Sequence, residues 1–427
     1  FAMFGATVLV PILVQSYGLP LNTQTTLFFA GFGTLFFHFC TKLKVPAFLG
    51  SSFAFLGGFS AMAELSSGMY ATMEPSEKLQ YACGGIVIAG LLYVILAAII
   101  KAVGVHRVMH FLPPVVTGPI IILIGLNLAP SAVSNASSCW WLALVSMAII
   151  IVANIWGRGM IKIIPILLGV VGGYVVALCA GMVDFSGFAG SSLLTGENAV
   201  LGLQPFLKNF SGSVAKFDLT AILVMAPIAV ASMMEHIGDV SAISATVGEN
   251  FIEDPGLHRT LIGDGVATAL AGLFGGPANT TYGENTGVLV LSRVHDPRVV
   301  RLAAIYAIIL SFSPAFAHLV NTIPSAIIGG VSFILYGMIS AIGVRNVVEN
   351  HVDFTNSRNL IIAAVILVCG LGFTDGLTFQ IGAASITLTS LAIAAIAGIV
   401  LNAILPGNDF YLGKSASGDD AGSLGKY

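Results

Sequence analysis

Charge is what this chain has least of: charged residues make up 9% of its 427 residues, against about 25% in a typical soluble domain. That scarcity excludes an ordinary soluble protein. No basic run interrupts the sequence and the net charge is −3, so the electrostatic footprint of a nucleic-acid binder is missing. The five cysteines, Cys40, Cys83, Cys139, Cys179 and Cys369, are scattered and never form a C-x-x-C pair. Neither a zinc site nor a disulfide framework can be read from that spacing, and they are expected to be small core residues. What remains is apolar: 56% of residues are hydrophobic and the mean hydropathy is +0.96. Stretches near 20 residues, enough to cross about 30 Å of hydrocarbon at 1.5 Å per residue, recur throughout. A chain in lipid must satisfy its own peptide groups, and these runs far exceed the roughly 10 residues of a barrel strand, so the spans are expected to be helices.

Apolar windows between polar breaks give about 14 spans, two of them short, around Ser51 to Ala63 and Asn279 to Ser292. Their centres fall near Leu9, Gly33, Phe55, Leu91, Leu123, Ile149, Val171, Val230, Leu270, Glu284, Ile309, Phe333, Val365 and Ile393. The sequence opens inside the apolar run Phe1 to Leu13 with no small-residue cleavage site behind it, so this run is expected to be a span completed upstream and not a cleaved signal. With the first span entering from the cytoplasm, Lys42, Lys44, Lys101, Arg107, Arg158, Lys162, Arg259, Arg293, Arg298, Arg301, Arg345, Arg358, Lys414 and Lys426 lie inside. Only Lys78, Lys208 and Lys216 lie outside, the bias expected of cytoplasmic loops and of cytoplasmic termini.

The chain also repeats itself. Pro113, Gly118 and Gly125 have the same offsets as Pro324, Gly329 and Tyr336, and Pro46 to Phe53 matches Pro277 to Glu284. Seven spans per half is an odd number, so the second half must enter the membrane from the opposite side, an inverted repeat of the kind secondary carriers use.

In such carriers the site lies near the midplane, where short or interrupted helices meet. Gly50-Ser51-Ser52-Phe53-Ala54-Phe55 and Pro277-Ala278-Asn279-Thr280-Thr281-Tyr282-Gly283-Glu284-Asn285 each read as an extended stretch running into a helix start. Extended backbone at membrane depth must be buried in protein or line a cavity, so the two are expected side by side. Carboxylates within spans are the second signal, because each costs at least about 2.5 kcal/mol there. Glu235, Asp239, Asp264 and Glu284 qualify, and Glu235 and Asp239, four apart, share a helix face. Two carboxylates converging on a dry pocket cannot both ionise cheaply, which outlines a device for holding a proton. A structural reading stands beside this one and is heaviest for Asp264. His236 and Asp239 give no third ligand, so no metal is expected. Ser51 and Ser52 read as polar lining or caps. Phe53, Tyr282 and Tyr336 are either core or aromatic plates for a flat ligand. The absence of a nucleophile with a positioned base argues against an enzyme, and no cofactor is implied.

Taken together, Phe1 to Pro11, Ser51-Ser52-Phe53-Ala54-Phe55, Glu235-His236-Ile237-Gly238, Asp254-Pro255-Gly256-Leu257-His258-Arg259 and Thr281-Tyr282-Gly283-Glu284-Asn285-Thr286-Gly287 resemble the uracil branch of the bacterial nucleobase/ascorbate transporter family, from Phe1 to about Leu405. The resemblance implies an all-α polytopic fold of 14 spans in two inverted halves, with short β-strands in spans three and ten. It implies a core domain from 1–110 and 218–320, a gate domain from 111–183 and 321–405, an extracellular connection at 184–217 and a cytoplasmic tail at 406–427. It also implies import of uracil with a proton across the cell membrane, by movement of core against gate in a homodimer joined through the gates. In that reading Glu235 and Glu284 accept hydrogen bonds from the N–H groups of uracil, backbone N–H groups at Phe53 and Gly283 meet its oxygens, and Ser52, Tyr282 and Tyr336 complete the surroundings. Glu284, Asp239 and Glu235 would share the coupling proton. Asp239 departs from the uracil branch, whose best-known carrier has histidine there, which leaves the titrating group open. Xanthine, uric acid or an anion on the same architecture is the alternative cargo.

Overall fold

Proline and short polar side chains decide where the helices begin. Proline opens the helices at Pro75, Pro114, Pro165, Pro297 and Pro314, where its missing N–H costs nothing. Asn22, Asp218, Asp296, Ser313, Asn356 and Thr389 each accept a hydrogen bond from a first-turn N–H of the helix that follows.

The computed structural model describes residues 2–66, 68–183, 214–282, 285–286, 289, 292–374, 376–381 and 384–407. The first half holds α1 (Ala2–Ser16), α2 (Thr23–Cys40), β1 (Leu49–Ser51), a 3-10 turn at Phe53–Phe55, α3 (Leu56–Glu64), α4 (Pro75–Val103), α5 (Val105–Phe111), α6 (Pro114–Ser137), α7 (Trp140–Ile155), α8 (Met160–Ile163) and α9 (Pro165–Cys179). The second holds α10 (Leu219–Met225), α11 (Ile228–Val247), α12 (Leu257–Leu273), β2 (Asn279–Thr281), α13 (Pro297–Ser311), α14 (Pro314–Asn321), α15 (Ser325–Glu349), α16 (Ser357–Gly372), β3 (Leu377–Ile381), β4 (Ala384–Leu388) and α17 (Ser390–Ile404). Every expected span centre except Glu284 lies in one of these helices or in the turn at Phe53–Phe55, and Glu284 falls outside the described residues. Among the described residues, Pro75–Val103, Pro114–Ser137, Leu219–Val247 and Ser325–Glu349 are each long and apolar enough to cross a bilayer alone. Helices α13 and α14 meet at a bend of 88°.

Helices α2, α4, α10, α12 and α13 pack on one another, and α6, α7, α9, α15, α16 and α17 form a second packed set. The longest contact in the second set joins α6 to α15, which run antiparallel: a Cβ at Gly343 would strike Ile122 and the Gly118 carbonyl, and one at Gly125 would strike Tyr336 and Ser340. Glycine here lets two backbones approach, as small residues do where helices pack without a hydrophobic driving force.

The polar ends segregate as well. At one end Lys42 and Lys44 pair with Asp254, and Arg259 donates to the Cys40 carbonyl. At the other, Lys216 pairs with Glu77, and Lys78 donates to the carbonyls of Ala63 and Leu65.

One element was not expected from the sequence. Strands β3 and β4 pair antiparallel, Leu377 opposite Leu388 and Ile381 opposite Ala384, and β4 packs against α10. The alternation in Leu377-Thr378-Phe379-Gln380-Ile381 and Ala384-Ser385-Ile386-Thr387-Leu388 carries the strand signal, but it merges into the apolar run of α17 and is masked by it.

Candidate functional site

Two three-residue strands from distant parts of the chain form an antiparallel ribbon: Leu49 lies opposite Thr281, Gly50 opposite Thr280 and Ser51 opposite Asn279. All six residues are buried. Antiparallel pairs alternate between bonded and non-bonded, and the Ser52 N–H donating to the Ala278 carbonyl at 2.8 Å sets the phase. Gly50 and Thr280 are then the bonded pair, while Leu49, Ser51 and Asn279 turn peptide groups away from the partner strand. With no water at this depth those groups need other partners. Thr34 on α2 accepts from the Leu49 N–H at 2.9 Å and shares its own proton between the Ala30 carbonyl at 2.7 Å and the Leu49 carbonyl at 3.2 Å. Thr268 on α12 serves both groups of Asn279, accepting from its N–H at 3.1 Å and donating to its carbonyl at 3.0 Å. The Tyr282 hydroxyl donates to the Ser51 carbonyl at 3.1 Å, and its ring lies over Gly50 so closely that a Cβ there would overlap it.

Beyond β1 the chain turns directly into the 3-10 turn at Phe53 and then into α3. The first N–H groups of such a start have no partner within the helix and are free to meet an acceptor. Ser52, buried, lies 3.3 Å from Ser232 Oγ on α11. One turn further along α11 stands Glu235, half-buried, and a turn beyond it Asp239, 5% exposed. Tyr93 on α4 is within electrostatic reach of Glu235, Asp239 and Asp264 alike, so three of the four expected intramembrane acids share this neighbour. Asp264 Oδ2 is 2.8 Å from His236 Nδ1, both fully buried. From the second helix set, Tyr336 on α15 meets the Phe53 ring edge-on, with centroids 6.1 Å apart and planes at 74°. Ser332, one turn before Tyr336, is fully buried as well.

The structure thus gathers Ser52, Phe53, Tyr282, Glu235, Asp239 and Tyr336 around the ribbon. Gly283 and Glu284 lie outside the described residues, directly after Tyr282. Sequence reasoning did not single out Thr34, Thr268, Thr281 or Ser232 for any role. The only signal they carry is a hydroxyl on an otherwise apolar or small-residue face, which becomes meaningful once a strand is known to pass beside it.

Compared with known proteins, the chain is 41% identical over 416 residues to the uracil permease of Bacillus caldolyticus, a match covering 95% of this chain and 90% of that one. Among solved structures it resembles SLC26A9, with a TM-score of 0.62 at 11% identity over 94% of this chain and 63% of that one. It also resembles the transmembrane domain of the cyanobacterial bicarbonate transporter BicA, with a TM-score of 0.50 at 17% identity over 82% of this chain and 95% of that one. These two likenesses establish the fold alone. The permease family Xan_ur_permease matches residues 1–379, and with that extent of agreement the chain belongs to this family of permeases.

Proposed function

We infer that this permease carries uracil across a cell membrane, coupled to protons, by alternating exposure of the site between α-helical core and gate. The observation that carries the reading is the ribbon itself, with the helix start at Phe53 beside the acidic helix α11 and edge-on to the Tyr336 ring. Uracil presents alternating donors and acceptors on a flat ring. Carboxylates of Glu235 and Glu284 suit its N–H groups, the backbone N–H groups of Phe53 and Gly283 suit its oxygens, and the Phe53 ring suits its face, with Tyr336 edge-on beside it. Kinship of 41% with a uracil permease supports the same cargo.

The finer architecture belongs to this proposal. Fourteen spans in two inverted halves are supported by two antiparallel pairings, β1 with β2 and α6 with α15, whose members share sequence offsets and, for the strands, a threonine clamp apiece. The core comprises 1–110 and 218–320, the gate 111–183 and 321–405, following the two packed helix sets. Glu284, Asp239 and Glu235 hold the transported proton, gates meet in a homodimer, and both termini are cytoplasmic.

Equilibrium binding of labelled uracil to the purified protein, competed with thymine, xanthine, uric acid, ascorbate and sulfate, tests the cargo. Displacement by uracil and not by xanthine or sulfate is expected; the reverse order would replace uracil with that ligand. In proteoliposomes an imposed inward proton gradient is expected to drive accumulation, and equal uptake with and without it would remove the coupling.

A further inference from the structure

Behind the ribbon runs a chain of buried polar side chains that the uracil reading leaves without a shared role. They are Asp264 on α12, His236 on α11, Thr281 closing β2, and Asp239 back on α11. His236 Nδ1 lies 2.8 Å from Asp264 Oδ2. The Phe37 and Tyr93 rings flank the imidazole edge-on, at 6.2 and 6.4 Å between centroids, and hold it in place. Thr281 Oγ1 lies 3.0 Å from Asp239 Oδ2 and 3.4 Å from His236 Nδ1. A hydroxyl has one proton to give, and in the shorter of the two contacts Thr281 donates it to Asp239. All four residues are at most 5% exposed, so no solvent competes for these bonds.

We propose that Thr281 is a positioning residue for proton binding at Asp239: its hydroxyl favours the ionised carboxylate while β2 is seated, and displacement of β2 withdraws that bond and favours the protonated acid. Thr281 is next to Tyr282, which the transport reading places at the cargo, so any shift of the ribbon on loading is felt directly at this bond. His236 borders the other side of the hydroxyl, with Asp264 behind it. Among the described residues, the titratable groups linked to Asp239 are Tyr93 on α4 by charge, His236 on its own helix through Thr281, and Asp264 on α12 through His236; Glu235 stands one turn before it, Tyr282 follows Thr281, and Glu284 lies outside the described residues. Glu253 and Asp254 belong to the loop past the end of α11, and α6 and α17, which also pack on α11, contain no titratable residue. This inference rests on the proton-coupling part of the proposed function.

The test is an infrared pH titration of the purified full-length protein, following the carboxylic-acid band that disappears in Asp239→Asn. Thr281→Val removes the donor with little change of shape, and the pH of half-protonation is expected to rise by about one unit, tenfold in proton concentration, with Thr281→Ser restoring it. An unchanged midpoint in Thr281→Val overturns the proposal, as does a Ser variant that shifts as far as the Val variant, or the absence of any band assignable to Asp239. Should Thr281→Val not fold, Thr281→Ala decides by the same titration; failure of both to fold beside a normal Ser variant assigns the residue to packing and also overturns it. The titration needs no substrate, so a wild type that binds no uracil sinks the transport reading while leaving Thr281 decidable.

Discussion

Replacing Thr268 by valine removes one hydroxyl and almost no volume, yet it strips the ribbon of two hydrogen bonds, those from the Asn279 N–H at 3.1 Å and to the Asn279 carbonyl at 3.0 Å. Thr268 is fully buried and Asn279 is 1% exposed, so no water replaces what is lost. A buried peptide group left unmet costs roughly 1–3 kcal/mol, which puts Thr268→Val at roughly 2–6 kcal/mol of destabilisation concentrated at the strand leading into Tyr282. Even if only about 1.4 kcal/mol of this opposes the liganded arrangement, uracil affinity falls tenfold. Thermal unfolding in detergent and equilibrium uracil binding measure the two effects. Thr268→Ser keeps both bonds and is expected to lie close to wild type in each. A valine variant that melts and binds like the wild type would refute the claim that the clamp holds the ribbon, because no other partner for the outward groups of Asn279 would then be needed.

Gly50→Ala drives a methyl into the Tyr282 ring and breaks its bond to Ser51, so uracil affinity is expected to drop by about tenfold or more, at an overpacking cost of about 1–3 kcal/mol; an unaffected dissociation constant in a binding titration would contradict this. Asn402→Leu leaves the Arg358 guanidinium and the His110 and Phe111 carbonyls without this partner, and a loss of roughly 2–5 kcal/mol should appear as a lower melting temperature. Asp254 is held below the usual carboxylate range by hydrogen bonding and charge from Lys44, with Lys42 and Arg259 adding to it. That pairing is complete above about pH 4 and is lost only as pH falls through the lower folded value, so Lys44→Ala is expected to leave the uptake profile between about pH 5 and 8 unchanged. Because the pair is exposed, its melting temperature should also stay put.

Composition and local pattern were enough to settle the solvent and the helical class, and to single out the two segments that pair as the ribbon. Hydropathy and the requirement that peptide groups in lipid satisfy themselves leave helices as the solution, and the segments at Ser51 and Asn279 stood out because they break that rule. Those are local properties, carried by residues within one helical turn of each other. The β3–β4 hairpin was legible in principle from its alternation, and was hidden by the apolar run beside it. Packing alone settles which distant groups satisfy the ribbon: Thr34 and Thr268 lie 15 and 11 residues from the peptide groups they serve, Tyr282 reaches across 231 residues to Ser51, and Asp264 meets His236 from a different helix. A hydroxyl on a helix face has no marked meaning until another element brings an unmet N–H or carboxylate to within about 3 Å of it. For that reason the acidic candidates could be proposed from the chain alone, and the hydroxyls that pack beside them and the ribbon could not.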